Sequence, residues 1–329
     1  MQVYSRQLGR LGAVLGLAAA MMAPFGVRAA DGFPDKPVRI VVPYAAGGGV
    51  DIVTRLITQK MSDELKQPVI VDNRPGAATN IGMEHVARSA PDGYTLLTAS
   101  NTLASNAALF PKLSFDPAKD FAPIGAIGYA PLVVVVRSDA SAKSLKDLVA
   151  EGRAQPDRLS YGSAGNGSSG HLGSELLKAE GGFKALHIPY KGGSPAVTDL
   201  LGGRLSFMSI NPLEVVSHIK SDKLRALAVL NPHPSKLLPD VPTAAAQGLP
   251  GADATVWWGL VGPAGMPPAV VQRLNQALQA ALADPAIKQR MGEMGAEITP
   301  GSAEDFGRFV AEETVKWGKV IRAAGISAD

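Results

Sequence analysis

Cysteine is absent from this chain of 329 residues. That excludes disulfides, a thiol nucleophile and thiolate metal sites, and it removes the attachment point that a lipoprotein anchor needs. Aromatic residues are scarce at 5%, while glycine (36) and proline (25) are plentiful, which points to many tight connections between elements. Past residue 30 no stretch is long and apolar enough to span a bilayer, which takes about 20 residues. The apolar fraction, 46%, is ordinary for a globular protein. A chain of this length makes two domains or one large one, with a core big enough to fold without disulfide staples.

The first thirty residues stand apart. Arg6 and Arg10 make a positive leader, Leu11 to Met22 is an apolar run, and Val27-Arg28-Ala29-Ala30 offers small residues for cleavage. This is the pattern of a secretory signal peptide, and its apolar run is short for a membrane anchor. It also accounts for the apparent basicity. The chain carries 32 basic and 29 acidic side chains; the leader holds three arginines and no acid, which leaves 29 of each sign. No nucleic-acid partner is expected from such a balance, and the location expected is periplasmic.

Beyond the leader, strands and helices alternate. Val38 to Val42 is a β-branched run that reads as a buried strand. Ala45-Ala46-Gly47-Gly48-Gly49 turns tightly, and from Asp51 a helix carries Ile52, Leu56, Ile57, Met61 and Leu65 on one face. Pro68 to Val71 and Tyr94 to Thr98 read as strands, with Asn80 placed to cap a helix through Val86 and Ala87. Leu132 to Val136 is an apolar run leading into a new region. There Ser144 and Asp147 form a capping pair, Arg158 to Tyr161 and Leu186 to Tyr190 are strands, and Leu172, Leu176 and Leu177 mark a helix. A short helix holds Val197, Leu200 and Leu201, and Leu224 to Leu230 is a strand. Thr255 to Val261 is a further strand. Val271, Leu274, Leu278 and Leu282 form a helix stripe. Ser302 with Asp305 caps the last helix, whose apolar face is Phe306, Phe309, Val310, Trp317 and Ile321. The alternation predicts an α/β protein with largely parallel sheets in two lobes.

Two glycine loops follow strands and open helices, one in each half of the chain. The second contains Gly165-Asn166-Gly167-Ser168-Ser169-Gly170, the G-x-G-x-x-G spacing of dinucleotide-binding loops. That fingerprint also requires an acid at the end of the next strand for the ribose. Here that strand ends in Ile188-Pro189-Tyr190-Lys191, with no acid. Neither loop ends in Gly-Lys-Ser/Thr, so neither is a P-loop. There is no Gly-x-Ser-x-Gly elbow and no His-Glu-x-x-His. His85, His171, His187, His218 and His233 show no metal-ligand spacing and read as local hydrogen-bonders. What the loops do offer is backbone N–H groups, a helix N-terminus and the hydroxyls of Ser163, Ser168 and Ser169, which together suit an anion such as a carboxylate. Tight turns without a ligand are the plainer alternative. Asp51 reads as a helix-start residue that fixes the first loop, and Trp257 and Trp258 read as core packing.

Taken in order, the stretches Pro43–Asp51, Asn73–Gly76 with Asn80–Gly82, Ala90–Leu97, Tyr161–Gly165, His187–Gly192, Asp199–Gly203, Leu238–Thr243 and Gly262–Gly265 resemble the substrate-binding proteins of tripartite tricarboxylate transporters, the Bug or TctC family. The likeness runs through nearly all of the chain after the leader. It implies a two-lobed periplasmic-binding-protein-like α/β fold of type II, a Venus flytrap. Lobe one would span residues 31–133 plus 250–329, and lobe two residues 134–249. It implies a receptor, not an enzyme, that takes a small carboxylate, needs no cofactor or metal and works as a monomer. The receptor would deliver to one large and one small membrane subunit, or report to a sensor. Carried over by position, the implied ligand-binding residues are Tyr44, Ala45, Ala46, Gly47, Gly48, Gly49 and Asp51 in the first loop. In the second they are Ser163, Ala164, Gly165, Asn166, Gly167 and Ser168. Asn80, Ser100 and Asn101 are further candidates in lobe one, and Tyr190 in lobe two. The chain departs from the pattern at Ser206 and Ile210, where relatives commonly carry Asp; a cleft wall built there would be less acidic.

Overall fold

Val38–Val42 (β1) is almost wholly buried, as an inner strand of a sheet covered on both faces must be. The structure, a computed structural model, describes residues 32–327. The secretion segment read in residues 1–30 lies outside the described residues. The chain divides into two units, Met1–Phe33 and Pro34–Asp329, and all named elements lie in the second.

After β1 come α1 (Gly49–Leu65), β2 (Val69–Asn73), α2 (Asn80–Ala87), β3 (Thr95–Ala99) and α3 (Asn101–Leu109). The long strand β4 (Phe121–Arg137) follows, then α4 (Leu145–Ala154), β5 (Ser160–Ser163), α5 (Ser169–Gly181), β6 (Leu186–Pro189) and α6 (Gly193–Leu201). Next are β7 (Phe207–Ile210), a single 3-10 turn at Pro212–Glu214, α7 (Val216–Lys220) and β8 (Leu224–Leu230). The chain closes with β9 (Thr255–Pro263), α8 (Pro268–Ala283), α9 (Pro285–Glu293), β10 (Glu297–Ile298) and α10 (Ala303–Ala324).

Two sheets share β4. The first runs β2-β1-β3-β9-β4, with β10 also on β4; the second runs β4-β7-β5-β6, with β8 also on β4. Pairing is parallel among β1, β2 and β3, and again among β5, β6 and β7. It is antiparallel wherever β4 or β9 takes part. The expectation of largely parallel sheets therefore holds for the outer strands and fails at the connection. The residues of β4 from Phe121 to Pro131 pair with β9, and those from Leu132 to Arg137 pair with β7 and β8. At the change of partner, Leu132 N–H donates to Ala254 O and Ala254 N–H donates to Leu230 O. The two chain crossings thus lie side by side. Helix α5 packs tightly over them: a Cβ on Gly173 would sit 2.8 Å from Leu132 and 3.1 Å from Ala254.

One expected feature is corrected. Asn80 does not cap α2; Thr79 holds that position with φ 74°, and Asn80 is already helical. Its side chain instead accepts from Asn106 Nδ2 at 2.7 Å. Both capping boxes read from the sequence are present, Ser144 with Asp147 and Ser302 with Asp305.

Each sheet has its own apolar core. One joins Val41, Leu97, Leu103, Trp257, Phe306, Trp317 and Ile321; the other joins Val133, Val135, Leu200, Met208, Val215 and Val229. Trp257 and Trp258 are 2% and 1% exposed, as core residues. Burying an indole leaves its N–H to be satisfied. Glu313, 8% exposed, accepts from Trp257 Nε1 at 3.1 Å and from Trp317 Nε1 at 2.7 Å with one oxygen, Oε2. This clamp fastens α10 to β9. Glu313→Ala would strand two buried donors, each costing roughly 1–3 kcal/mol. We expect a loss of about 2–4 kcal/mol in urea unfolding; a loss below about 0.5 kcal/mol would show that the clamp contributes little.

Candidate functional site

The first glycine loop is held by Asp51. Its carboxylate, 3% exposed, accepts from Gly47 N–H at 2.9 Å, Arg55 Nε at 3.0 Å and Asn73 Nδ2 at 2.9 Å. Burial alone would raise its pKa, but Arg55, the Gly47 amide and Asn73 outweigh burial and hold it below the ordinary value. Asn73 Nδ2 also reaches Tyr44 O at 3.2 Å. Asp51 is therefore spent on shaping the loop. Gly48 is the N-cap of α1 and has no side chain to cap it, so the first-turn amides need partners from elsewhere. Tyr44 lies beneath, its hydroxyl 3.1 Å from Thr102 Oγ1, and burial pushes its pKa up to about 12 against hydrogen bonds from Thr102 and Ser100.

The second loop uses much of its own hydrogen-bonding capacity. Gly165 N–H donates to Ser163 Oγ, Gly167 N–H to His171 Nδ1 and Ser168 N–H to Gly165 O. Ser168 then caps α5 through His171 N–H. Behind the loop, His171 and His187 stack with centroids 4.0 Å apart, and Tyr161 stacks on His187 at 4.8 Å. Burial pulls the imidazoles down to about 4 and about 3, so both are neutral at pH 7. Ser163 Oγ lies 2.7 Å from His187 Nε2, which resembles half of a nucleophile–base pair. An imidazole of such low basicity is a poor proton acceptor, and Ser163 is 1% exposed. The pair supports the loop. Among the described residues no bond takes up the amide of Ser169 at the start of α5, and Ser169 lines the cavity described next.

A third glycine turn, Lys191-Gly192-Gly193, opens α6, again without a side-chain cap. The starts of α1, α5 and α6 meet around one cavity of about 30 Å³. It is lined by Tyr44, Gly48, Gly49, Val50, Ser100, Ala164, Ser168, Ser169, Gly193, Asn211, Glu214 and Val256. That volume holds little more than a water molecule. The two edges touch around it. Ala45 N–H donates to Lys191 O at 2.8 Å, and Ser105 Oγ donates to Gly167 O at 2.9 Å.

Glu214 closes one side. Asn211 Nδ2 donates to its Oε1 at 2.6 Å, while Oε2 is sealed from solvent without a hydrogen-bond partner. Asn211 Oδ1 is likewise buried and unpartnered. Both residues press on glycine: a Cβ on Gly193 would sit 2.0 Å from Glu214 Oε2, and one on Gly49 2.7 Å from Asn211 Nδ2. Burial pushes the Glu214 carboxyl up from 4.5 to about 7, opposed by Asn211 and the Gly49 amide.

Of the residues expected to bind ligand, Tyr44, Gly48, Gly49, Ser100, Ala164 and Ser168 line this cavity. Ala45, Ala46, Gly47, Gly165, Asn166 and Gly167 belong to the same two loops behind it. Asp51 and Ser163 brace the loops, as described. Asn80 bonds Asn106, and Asn101 ties α3 to β9 through Thr255 O and Trp257 N–H. Tyr190 donates to Asp199 at 2.6 Å, outside the lining. Sequence reasoning missed Gly193, Asn211 and Glu214. The recurrence of strand, glycines and helix at residues 186–201 was the available signal for Gly193. Ser206 meets Ser160 N–H with its Oγ and Ile210 lies in the core, so neither forms the cavity wall. The wall nearby carries an acid after all, from Glu214.

A family model described as "Tripartite tricarboxylate transporter family receptor" matches residues 53–326. Protein BugT of Bordetella pertussis is 36% identical over 318 residues, covering 96% of this chain and 98% of that one. MatC from Rhodopseudomonas palustris, solved with bound malate, superposes with a TM-score of 0.85 at 32% identity, over 88% of this chain and all of that one. Rpa4515 of the same organism, solved with adipate, gives 0.86 at 33% identity, over 90% and 99%.

The Glu214 shift makes folding pH-dependent. Its folded value is raised, so stability is fully present below about 4.5 and is lost as pH rises toward 7. Glu214→Gln removes that loss. We expect the variant to gain about 1–3 kcal/mol over the wild type at pH 8 and almost nothing at pH 4, by urea unfolding. Equal gains at both pH values would remove the carboxyl as the cause.

Proposed function

The chain belongs to the tripartite tricarboxylate transporter family of receptors, and from that premise we propose that it captures a small carboxylate in the cavity where its glycine loops meet. The observation that carries this reading is the convergence of three helix N-termini, two of them without a side-chain cap, on one cavity. Such termini direct N–H groups and partial positive charge at an anion. Relatives of the same fold were solved with malate and with adipate, both dicarboxylates.

In this proposal the first loop, the second loop and the α6 turn each contribute backbone amides, while Tyr44, Ser100, Ser168 and Ser169 contribute hydroxyls. Ligand enters when the lobes part, which breaks the contacts Ala45–Lys191 and Ser105–Gly167. With ligand bound the lobes close less far than in this structure, whose cavity is too small for a carboxylate, and the ligand biases the equilibrium through contacts made only when both loops reach it. The hinge is the pair of crossings at Pro131–Leu132 and Ala254–Thr255, close to the boundaries expected near residues 133 and 250. Receptors of this family are periplasmic; we place this chain there too, exported by its leader. Among the described residues no helix is long and apolar enough to cross a membrane. The monomer would hand its ligand to one large and one small membrane subunit. Catalysis has no part in the proposal.

A thermal-shift panel of mono-, di- and tricarboxylates, amino acids and aromatic acids tests this. A binder at 100 times its dissociation constant adds about 2.7 kcal/mol, a shift of several degrees. No stabilisation by any of them, with the protein folded, would refute the reading. Gly48→Val is the cleaner site variant. Its backbone is extended, with φ −80°, and the nearest atoms to a new Cβ are 3.5 Å away, so a side chain can start there without backbone strain. Gly165, at φ 123°, would be strained by the same change. Gly48→Val should keep its melting temperature within a few degrees and lose the ligand-induced shift.

A further inference from the structure

A receptor for anions has an acid of its own facing the place where the anion lands. Glu214 Oε2 lines the cavity beside Gly48 and Gly49 at the start of α1 and Gly193 at the start of α6. Its neighbour Asn211, 7% exposed, has already turned its Nδ2 to Glu214 Oε1, so its Oδ1 is the atom left over. Two sealed acceptors therefore stand side by side without a closed hydrogen bond, and the Gly49 amide is a donor close to the carboxyl group. A second carboxylate brought against them meets like charge in a site of low dielectric, which is strongly unfavourable unless one charge is cancelled.

Among the described residues no cationic side chain acts on Glu214. The elements packed on the Pro212–Glu214 turn are β4, α1, α6 and α7. Helix α1 carries Asp51 and Arg55, which pair with each other. Helix α6 carries Asp199, which is taken up by Tyr190 and Arg204. Helix α7 carries His218 and Lys220, and β4 carries Tyr129, bonded to Glu297, and Arg137, paired with Asp139. Tyr44 feels the charge of Glu214 and is itself held neutral. The influences on Glu214 are burial, Asn211 and the Gly49 amide, none of them cationic.

We propose that Glu214 sets a charge rule for the cavity: a carboxylate is admitted only with one compensating positive charge, either a proton on Glu214 or an ammonium group of the ligand itself. This deepens the receptor reading above and rests on it. With a plain carboxylate, Glu214 takes up a proton and its O–H donates to the incoming oxygen. With an amino acid, the ammonium donates to Glu214 Oε2 and Asn211 Oδ1, and Glu214 stays ionised. Burial in the closed cavity pushes the Glu214 carboxyl up to about 7, so the choice is made in the neutral range as the site closes. The two ligand classes then respond to pH in opposite directions. Plain acids lose affinity as pH rises past 7, because the proton they need becomes scarce. Amino acids gain affinity over the same range, because Glu214 no longer has a proton to shed.

Isothermal titration of the purified protein with matched pairs tests the rule: succinate against aspartate, glutarate against glutamate, hydrocinnamate against phenylalanine. Each is run at pH 6, 7 and 8, in buffers of low and high ionisation enthalpy. The expected result for the plain member is a fall approaching tenfold per pH unit above 7, with close to one proton taken up per ligand. The amino member should hold or tighten and take up none. In Glu214→Gln both pH slopes should vanish, and the plain member should bind as well at pH 8 as at pH 6. Proton uptake by the wild type is read without any variant, so the test stands even if the variant does not fold. Binding of only the amino members at pH 8 also supports the rule. Plain members that bind equally at pH 6 and 8 with no proton exchanged would overturn it and leave the receptor reading intact. Binding by neither class at any pH would overturn both.

Discussion

An α-helix begins with amide groups that have no partner inside the helix, and the architecture of this protein follows from where those of α1 and α6 are pointed. Neither helix has a capping side chain, because glycine occupies both N-cap positions. Capping by Ser, Thr, Asp or Asn would stabilise each by about 1 kcal/mol, and α4 and α10 in the same chain have it. The two starts without caps come from different sheets and face one another. Buried amides without partners are costly, so the pair creates a demand for negative charge at one place. Asn211 and Glu214 are the groups of the chain that come closest to answering it, and Glu214 does so with one oxygen still unpartnered.

The second loop supplies rigidity more than donors. Its amides at Gly165, Gly167 and Ser168 are bound within the loop, and the neutral stack of Tyr161, His187 and His171 fills the space behind it. Flat, uncharged rings suit that position, since an imidazolium there would lack water and a buried partner. The spacing that resembles a dinucleotide fingerprint is therefore a loop closed on itself, with the first turn of α5 left to face the cavity. Asp51 does the same work in the first loop through Gly47, Arg55 and Asn73.

Much of this was legible in the amino-acid sequence because it is local. The β-branched run at Val38–Val42, the glycines before α1, and the Ser144 and Ser302 capping boxes each depend on residues a few positions apart, and each forms as read. The likeness of ordered stretches to one receptor family carried the two-lobed fold. What stayed hidden depends on contacts between distant segments. The first half of β4 is rich in Gly, Ala and Pro, and register shifts at Pro123/Gly125 and Ala126/Gly128 break the alternation that marks a strand. Asn80 looks like a cap, but three successive residues with positive φ, Ala77 to Thr79, carry the chain into α2 differently. Glu214 sits in a 3-10 turn with nothing in its neighbours to separate it from a surface acid. Only the docking of that turn against α1 and α6 makes it part of the site.

The shared strand also governs the order in which the molecule can assemble. In the first sheet β9 lies between β3 and β4, so Leu97–Ala99 and Phe121–Pro131 do not touch until Thr255–Pro263 has been inserted between them. The layer over that sheet, α10, comes from the last residues of the chain. An emerging polypeptide therefore cannot complete its first sheet from the first half of its length. The second sheet is closer to self-contained, since β5, β6, β7 and β8 follow β4 directly. A chain made from its N-terminus could pair β1, β2 and β3 early, yet it would join them to β4 only once β9 has been made, after the second sheet is complete.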